Sequence, residues 1–218
     1  MNQYIDHTLL KPDSTQDDIN KLCEEAKKFK FASVCVHPHY VTTAKEHLKR
    51  SEVKVCTVIG FPLGQNTTIT KVCEAKNAVS NGADEIDMVI NISWLKDKAF
   101  EKLKDEIFSL KKAIGTRILK VIIEISLLNN EEIAQISQIV SDSRADFIKT
   151  STGFGAHGAT FEAVELMKAN ISKNLHIKAS GGIRDYKTAQ RYIELGVARL
   201  GTSSGIEIIE GITSNKNY

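Results

Sequence analysis

The sequence predicts an α/β protein whose parallel strands close into a (β/α)8 TIM barrel, and three observations predict it. Short apolar runs alternate with longer amphipathic ones eight times along the chain, the pattern of a parallel sheet with crossover helices. Charged residues recur at one parity of four successive strands, so charge is aimed at an interior rather than at solvent. Glycine and hydroxyl clusters follow the last two strands, where barrels of this kind bind phosphate. The 218 residues sit near the lower edge of what such a barrel needs, about 200 residues. One compact domain with short loops over residues 1–218 is therefore expected, and three prolines are too few for a Pro-rich linker.

The elements follow in order. A short first strand is expected near Tyr4–His7, and Asp13-Ser14 with Asp17 three positions past the serine marks a capped helix start. Ile19, Leu22, Cys23, Ala26 and Phe29 then recur at helical spacing. Ala32–Val36 reads as a buried strand. Strands follow at 54–60, 84–90, 117–125, 146–150, 175–179 and 197–201, with helices over 67–81, 97–114, 130–142, 160–172, 185–195 and 204–210. Gly82, Gly115 and Gly196 fall where helices should stop, as left-handed C-caps do. Val58–Gly64 is read as a strand end entering a mobile loop.

An open doubly wound sheet is the competing architecture. It is disfavoured because no G-x-G-x-x-G opens the first helix and because polar residues stud the strands. Glu85, Asp87 and Val89 share a parity, as do Lys120, Ile122 and Glu124, Phe147 and Lys149, and His176 and Lys178. Charge on the helix-covered face of an open sheet would be costly, whereas the mouth of a barrel tolerates it.

Composition excludes several classes of partner. Twenty-nine basic against 27 acidic residues leave 29 − 27 = +2, which gives no reason to expect nucleic acid or an anionic membrane. No uncharged apolar run approaches the roughly 18 residues of a membrane span, and no basic segment with an apolar run opens the chain, so a cytoplasmic protein is expected. Cys23, Cys35, Cys56 and Cys73 lack C-x-x-C spacing and are read as buried reduced thiols rather than disulfides or zinc ligands. His37 and His39 have no partner ligand at metal spacing, so no metal and no cofactor are expected.

Lys120, Lys149 and Lys178 are the sharpest feature, 29 residues apart in turn and each among apolar strand neighbours. Desolvating an ammonium costs several kcal/mol unless it is paired or neutralised. Asp87, Glu85 and Glu124 could neutralise all three in a buried network. Alternatively, burial and adjacent cations hold at least one lysine partly neutral as an amine nucleophile for a carbonyl carbon; both can hold together. To be substantially neutral at pH 7 an ordinary lysine needs its pKa lowered by about 3 units, or about 4 kcal/mol. Ser180-Gly-Gly-Ile183 and Gly201-Thr-Ser-Ser-Gly205 offer backbone N–H groups and hydroxyls to an anion, although Ser203 and Ser204 would also serve as ordinary helix caps. Thr150-Ser-Thr-Gly153 adds hydroxyl donors, and Asp6 could line the same mouth.

Five segments resemble, in order, the motifs of the deoxyribose-phosphate aldolase family. They are Asp84-Glu-Ile-Asp-Met-Val-Ile90, Lys120-Val-Ile-Ile-Glu124, Asp146-Phe-Ile-Lys-Thr-Ser-Thr-Gly-Phe154, Lys178-Ala-Ser-Gly-Gly-Ile-Arg184 and Gly201-Thr-Ser-Ser204. The likeness runs from Ile5-Asp-His-Thr-Leu-Leu-Lys-Pro12 to the last helix. It implies a metal-independent class I aldolase on a TIM barrel, cleaving 2-deoxy-D-ribose 5-phosphate to acetaldehyde and D-glyceraldehyde 3-phosphate in deoxyribonucleotide catabolism. It further implies Lys149 as the Schiff-base lysine, Lys178 as the second lysine that lowers its pKa and relays protons, Asp87 as the proton donor and acceptor, and Lys120 in support. Gly181, Gly182, Ser203 and Ser204 match phosphate-contacting positions, Thr150 is a further candidate, and Tyr218 matches a C-terminal tyrosine that reaches the site in some relatives. Ile125 departs from the family, where a threonine is expected after Glu124. A homodimer or larger homo-oligomer fits such an enzyme. Another Schiff-base aldolase or transaldolase, and a silent phosphosugar-binding barrel, are the alternatives.

Overall fold

A computed structural model describes residues 1–214; Tyr218, a candidate site residue, lies outside the described residues. Eight parallel strands close on themselves in sequence order: β1 (Ile5–Leu9), β2 (Ser33–Val36), β3 (Lys54–Ile59), β4 (Glu85–Val89), β5 (Ile118–Ile122), β6 (Phe147–Lys149), β7 (His176–Ser180) and β8 (Arg199–Thr202). Pairing of Asp6 with Gly201 and His7 with Thr202 shuts the sheet between β1 and β8. Around it run α1 (Gln16–Phe29), α2 (Val41–His47), α3 (Thr68–Ser80), α4 (Ile92–Lys96), α5 (Phe100–Ile114), α6 (Asn130–Ser141), α7 (Phe161–Ala169), α8 (Tyr186–Glu194) and α9 (Gly205–Glu210).

The main core lies between strands and helices, where Val34, Val55, Ile86, Leu119, Val121 and Ile148 meet Leu22, Ala75, Leu103, Ile107 and Ile136. Inside the barrel the apolar contribution is small: Leu10, Cys35, Cys56 and Val58 form a separate cluster backed by Phe61. Val89, Ile122 and Phe147 share the inward parity and are buried, and charged residues fill much of the remaining interior. The alternating parity of the strands thus sorts side chains as expected, apolar outward to the helices and charged inward.

Helix starts are locally encoded. Thr15 caps α1 by accepting from Asp18 N–H at 3.3 Å while Asp18 accepts from Thr15 N–H at 2.8 Å. The expected start on Ser14 and Asp17 is thus one residue early, because two overlapping Ser/Thr-x-x-Asp pairs compete and the second frames the apolar stripe. The predicted helix over 97–114 begins only at Phe100; a separate α4, capped by Asn91 at 3.2 Å from Trp94 N–H, precedes it and ends before Lys98 at φ 55°. β5 stops at Ile122 rather than 125, since Glu124 turns the chain at φ 51°. Gly82, Gly115 and Gly196 all take positive φ past helix ends, but Gly115, at φ 62° and ψ −122°, is not the left-handed cap expected. The four cysteines are free, but Cys73 is exposed on α3 rather than buried. Among the described residues no helix is long and apolar enough to cross a membrane.

Candidate active site

The inward residues of the strands bring seven ionisable groups into contact. Asp87 of β4 is central and fully buried. Its Oδ1 lies 2.8 Å from Lys120 Nζ and accepts from Cys56 Sγ at 3.1 Å; its Oδ2 lies 2.8 Å from Lys149 Nζ and 2.9 Å from Lys178 Nζ. Register explains this convergence: Asp87 is the Cα partner of Lys120, and Lys149 is the Cα partner of Lys178. Below them Asp6 reaches Lys178 at 2.6 Å, and Glu85 reaches Lys120 at 2.6 Å. Arg199 of β8 ties these two carboxylates together, at 2.6 Å from Asp6 and 2.9 Å from Glu85. Four cations against three carboxylates leave 4 − 3 = +1.

The field of this cluster sets its charge states. Burial opposes ionisation of Asp87, but Lys120, Lys149 and Lys178 override it and hold the carboxyl well below the usual carboxylate range. Burial likewise opposes ionisation of Asp6, and Lys178, Lys120 and Arg199 hold it low. For Lys120 and Lys178 burial favours the neutral amine, yet the facing carboxylates prevail and keep both ammoniums above the ordinary lysine range. Neutralisation by burial and neighbouring cations, expected for at least one lysine, is therefore not the state of these two. Nor does Glu124 help to neutralise them. Its carboxylate accepts from Thr152 N–H at 3.1 Å, from the Thr152 hydroxyl and from Ser126 Oγ at 3.0 Å, because the left-handed turn at Glu124 swings the side chain towards the segment after β6.

A cavity of about 310 Å3 opens above Lys149, and Gly181, Gly182, Ser203 and Ser204 line it as the sequence predicts. Lys120 and Lys178 do not reach it. Gly181, at φ 85°, packs so closely that a Cβ would stand 2.7 Å from Gly158 Cα, whereas Gly182, at φ 77°, faces open space. The loops are tied together by Thr202, whose hydroxyl donates to Ile183 O at 2.8 Å and accepts from Ser204 N–H at 2.9 Å. Thr150 does not join this wall. Its buried hydroxyl donates to Ser180 O at 3.2 Å and accepts from Ser180 N–H at 3.1 Å, since its position beside β7 uses both of its hydrogen-bonding roles between the strands.

One set of groups has metal-ligating chemistry: Cys35, Cys56 and Asp87 offer three ligand atoms within 4.8 Å of one another. Lys120 Nζ already stands 3.2 Å from Cys56 Sγ and 2.8 Å from Asp87, so an ammonium serves there as the cation. His37 and His39 are not part of that group; His37 Nε2 meets Leu10 O at 2.8 Å.

Residues 1–210 match the family described as DeoC/LacD family aldolase. The chain belongs to this aldolase family. It is 51% identical over 216 residues to the deoxyribose-phosphate aldolase of Staphylococcus carnosus, covering 99% of this chain and 98% of the relative. It is 53% identical to the enzyme of the same name from a Geobacillus species, covering 99% and 97%. The solved deoxyribose phosphate aldolase of Aeropyrum pernix, described as a tetramer, superposes with a TM-score of 0.87 at 30% identity, covering 96% of this chain and 89% of that one.

Within this aldolase two contributors escape the sequence reasoning. Arg199 shares the inward parity of β8 with Gly201, but an arginine at a strand start usually reads as a solvated edge, so the sequence does not signal it. Thr8 lines the cavity and could have been found, two residues past Asp6 on the same face of β1; Thr152, one of the hydroxyl donors expected after Lys149, lines it too. Asp6 and Glu85, named as candidates, prove to be direct partners of the lysines.

Proposed function

We propose that this aldolase domain, over residues 1–218, is a class I deoxyribose-phosphate aldolase with Lys149 as its Schiff-base lysine. It would act in the cytoplasm in deoxyribonucleotide breakdown, reversibly cleaving 2-deoxy-D-ribose 5-phosphate to acetaldehyde and D-glyceraldehyde 3-phosphate. One observation carries the assignment of Lys149. Of the three interior lysines it alone lines the cavity, and the same cavity is walled by Gly181, Gly182, Ser203 and Ser204, which suit a phosphate.

Lys149 attacks C1 of the open-chain aldehyde, and the carbinolamine loses water to give a protonated imine. The two-carbon product places the scissile bond between C2 and C3. As the C3 hydroxyl loses its proton, the C2–C3 electron pair moves towards the iminium, leaving an enamine on Lys149 and an aldehyde at C3. Protonation of the enamine carbon and hydrolysis release acetaldehyde and the lysine. Asp87 bridges Lys149 and Lys178 through one oxygen, at 2.8 and 2.9 Å, so it can pass protons between them. Its affinity for a proton is lowered by its neighbours, which makes the Lys178 ammonium the resting proton store and Asp87 the conductor. Phosphate binding at the glycine loops would orient the reacting carbons. The donor set calls for no metal, because the iminium itself is the electron sink.

Borohydride reduction in the presence of acetaldehyde or deoxyribose 5-phosphate tests the reading. Peptide mapping should find the adduct on Lys149, and Lys149→Leu should abolish both adduct and turnover; an adduct elsewhere refutes the assignment. Self-association, known for the Aeropyrum pernix relative, belongs to the same reading and is measured by light scattering.

A further inference from the structure

Glu124 is buried, 4% exposed, in a left-handed backbone conformation at φ 51° and ψ 71°. A carboxylate so buried normally faces a cation; here its donors among the described residues are uncharged, one backbone N–H and two hydroxyls. Two come from Thr152, the third residue after Lys149, and the third from Ser126. Thr152 Oγ1 in turn accepts from Phe154 N–H at 3.0 Å, so the carboxylate organises the turn from Thr152 to Phe154. Gly155 is seated directly on the same group: a Cβ there would lie 2.9 Å from Glu124 Oε1 and 2.4 Å from Ser126 Oγ. Ile123 N–H donates to Lys149 O at 3.0 Å and Ile125 N–H to Thr150 O at 3.0 Å, fixing Glu124 against the very end of β6. Thr152, Gly153 and Gly155 line the cavity.

We infer that Glu124 is a positioning residue whose carboxylate shapes the Thr152–Gly155 wall of the cavity and thereby sets its preference for a phosphorylated sugar. The inference rests on the function proposed above. Its geometry carries it: a single buried carboxylate satisfies the donors of the wall from behind, and the αL backbone that points it there is an uncommon state for a residue with a long side chain. Glu124 touches none of the ionised groups around Asp87, so its loss should act on substrate binding and not on imine formation.

The test compares Glu124→Ala with the wild type on 2-deoxyribose 5-phosphate and on unphosphorylated 2-deoxyribose. KM for the phosphorylated sugar should rise about tenfold or more, the equivalent of one or two hydrogen bonds to a charged acceptor. Its kcat should change by less than about threefold, and kcat/KM for the unphosphorylated sugar should stay within the same margin. Borohydride trapping of acetaldehyde on Lys149 should proceed at the wild-type rate. An unchanged ratio of kcat/KM between the two sugars, or an equal loss on both, overturns the role of Glu124. A wild type with no adduct on Lys149 would instead overturn the proposed function. If the alanine variant does not fold, Glu124→Gln is judged by the same ratio: a shift of about threefold or more supports the inference, and no shift overturns it.

Discussion

Replacing Asp87 by asparagine perturbs the whole network at one atom pair. The native carboxylate holds three ammoniums and a thiol, at 2.8 Å (Lys120), 2.8 Å (Lys149), 2.9 Å (Lys178) and 3.1 Å (Cys56). Asparagine keeps the shape but presents an NH2 to at least one of these donors, and the local charge rises from 4 − 3 = +1 to 4 − 2 = +2. Lys120 retains Glu85 and Lys178 retains Asp6, whereas Lys149 has no other carboxylate among the described residues. Removing one member of a buried ion pair costs about 3–5 kcal/mol. At about 2–4 °C per kcal/mol for a chain of this size, Tm should fall by about 6–20 °C. Loss of a proton-transfer group should lower kcat by about 100- to 10,000-fold. Thermal unfolding followed by circular dichroism, with steady-state cleavage of deoxyribose 5-phosphate well below the variant's Tm, gives both numbers. A variant with kcat within tenfold of the wild type would refute the assignment of Asp87 to the proton relay. A Tm within about 2 °C of the wild type would refute the energetics assigned to the network.

Arg199→Met removes the tie between Asp6 and Glu85 but leaves each carboxylate its lysine, so stability should fall by about 1.5–3 kcal/mol while kcat stays within about threefold; a far larger loss of kcat would place Arg199 in the chemistry. Asp6 and Asp87 are both held low in the folded state, so they contribute stability above the unfolded carboxylate pKa of about 4. Their contribution is lost as pH falls through the folded values. Melts should show these groups' share constant from pH 7 to 5 and declining below about pH 4, with the decline blunted in Asp6→Asn. At the other limb, Lys120 and Lys178 are raised, so their contribution is complete below about pH 10.4 and is lost as pH climbs through the folded values; alkaline melts of Lys178→Met should show a shallower loss. Gly181→Ala meets both a positive φ and a Cβ contact at 2.7 Å, and Gly182→Ala only the positive φ. The first should therefore destabilise by clearly more than the roughly 1–2 kcal/mol expected of the second, as urea unfolding would register.

Strand order, closure and the identity of the lysine triad were legible because they depend on period-two alternation, which a one-dimensional sequence displays directly. Lys120, Lys149 and Lys178 recur at a fixed interval on strands of matching parity, and the sheet brings them to one carboxylate. The partners of Glu124 were not legible in this way. Its parity on the extended strand pointed it inward with Lys120, but a left-handed residue reverses the side chain's direction, and nothing in Ile-Glu-Ile announces φ 51° as a glycine or asparagine would. Thr150 is similar: a hydroxyl beside Lys149 looks available in the sequence, and only the fold shows the neighbouring strand's Ser180 backbone engaging it. The helix break at Asp97–Lys98 likewise depends on α4 packing its Ile92 and Leu95 inward, a tertiary demand that local propensity does not reveal.

On the proposed mechanism, in which Lys149 alone forms the imine, the arrangement of the seven ionisable groups gives the other two buried lysines a task. A lone lysine with a lone aspartate would form a neutral pair, and the aspartate would have no reason to release a proton it accepted. Here Arg199 anchors Asp6 and Glu85, which fix the charge of Lys178 and Lys120 from below. Those two ammoniums then bear on Asp87 and keep it ionised. Lys149 is left with one shared carboxylate, and it alone of the three faces the cavity. The network thus separates two tasks: four groups beneath the site hold charges that do not change, while the single oxygen between Lys149 and Lys178 remains the place where a proton can move.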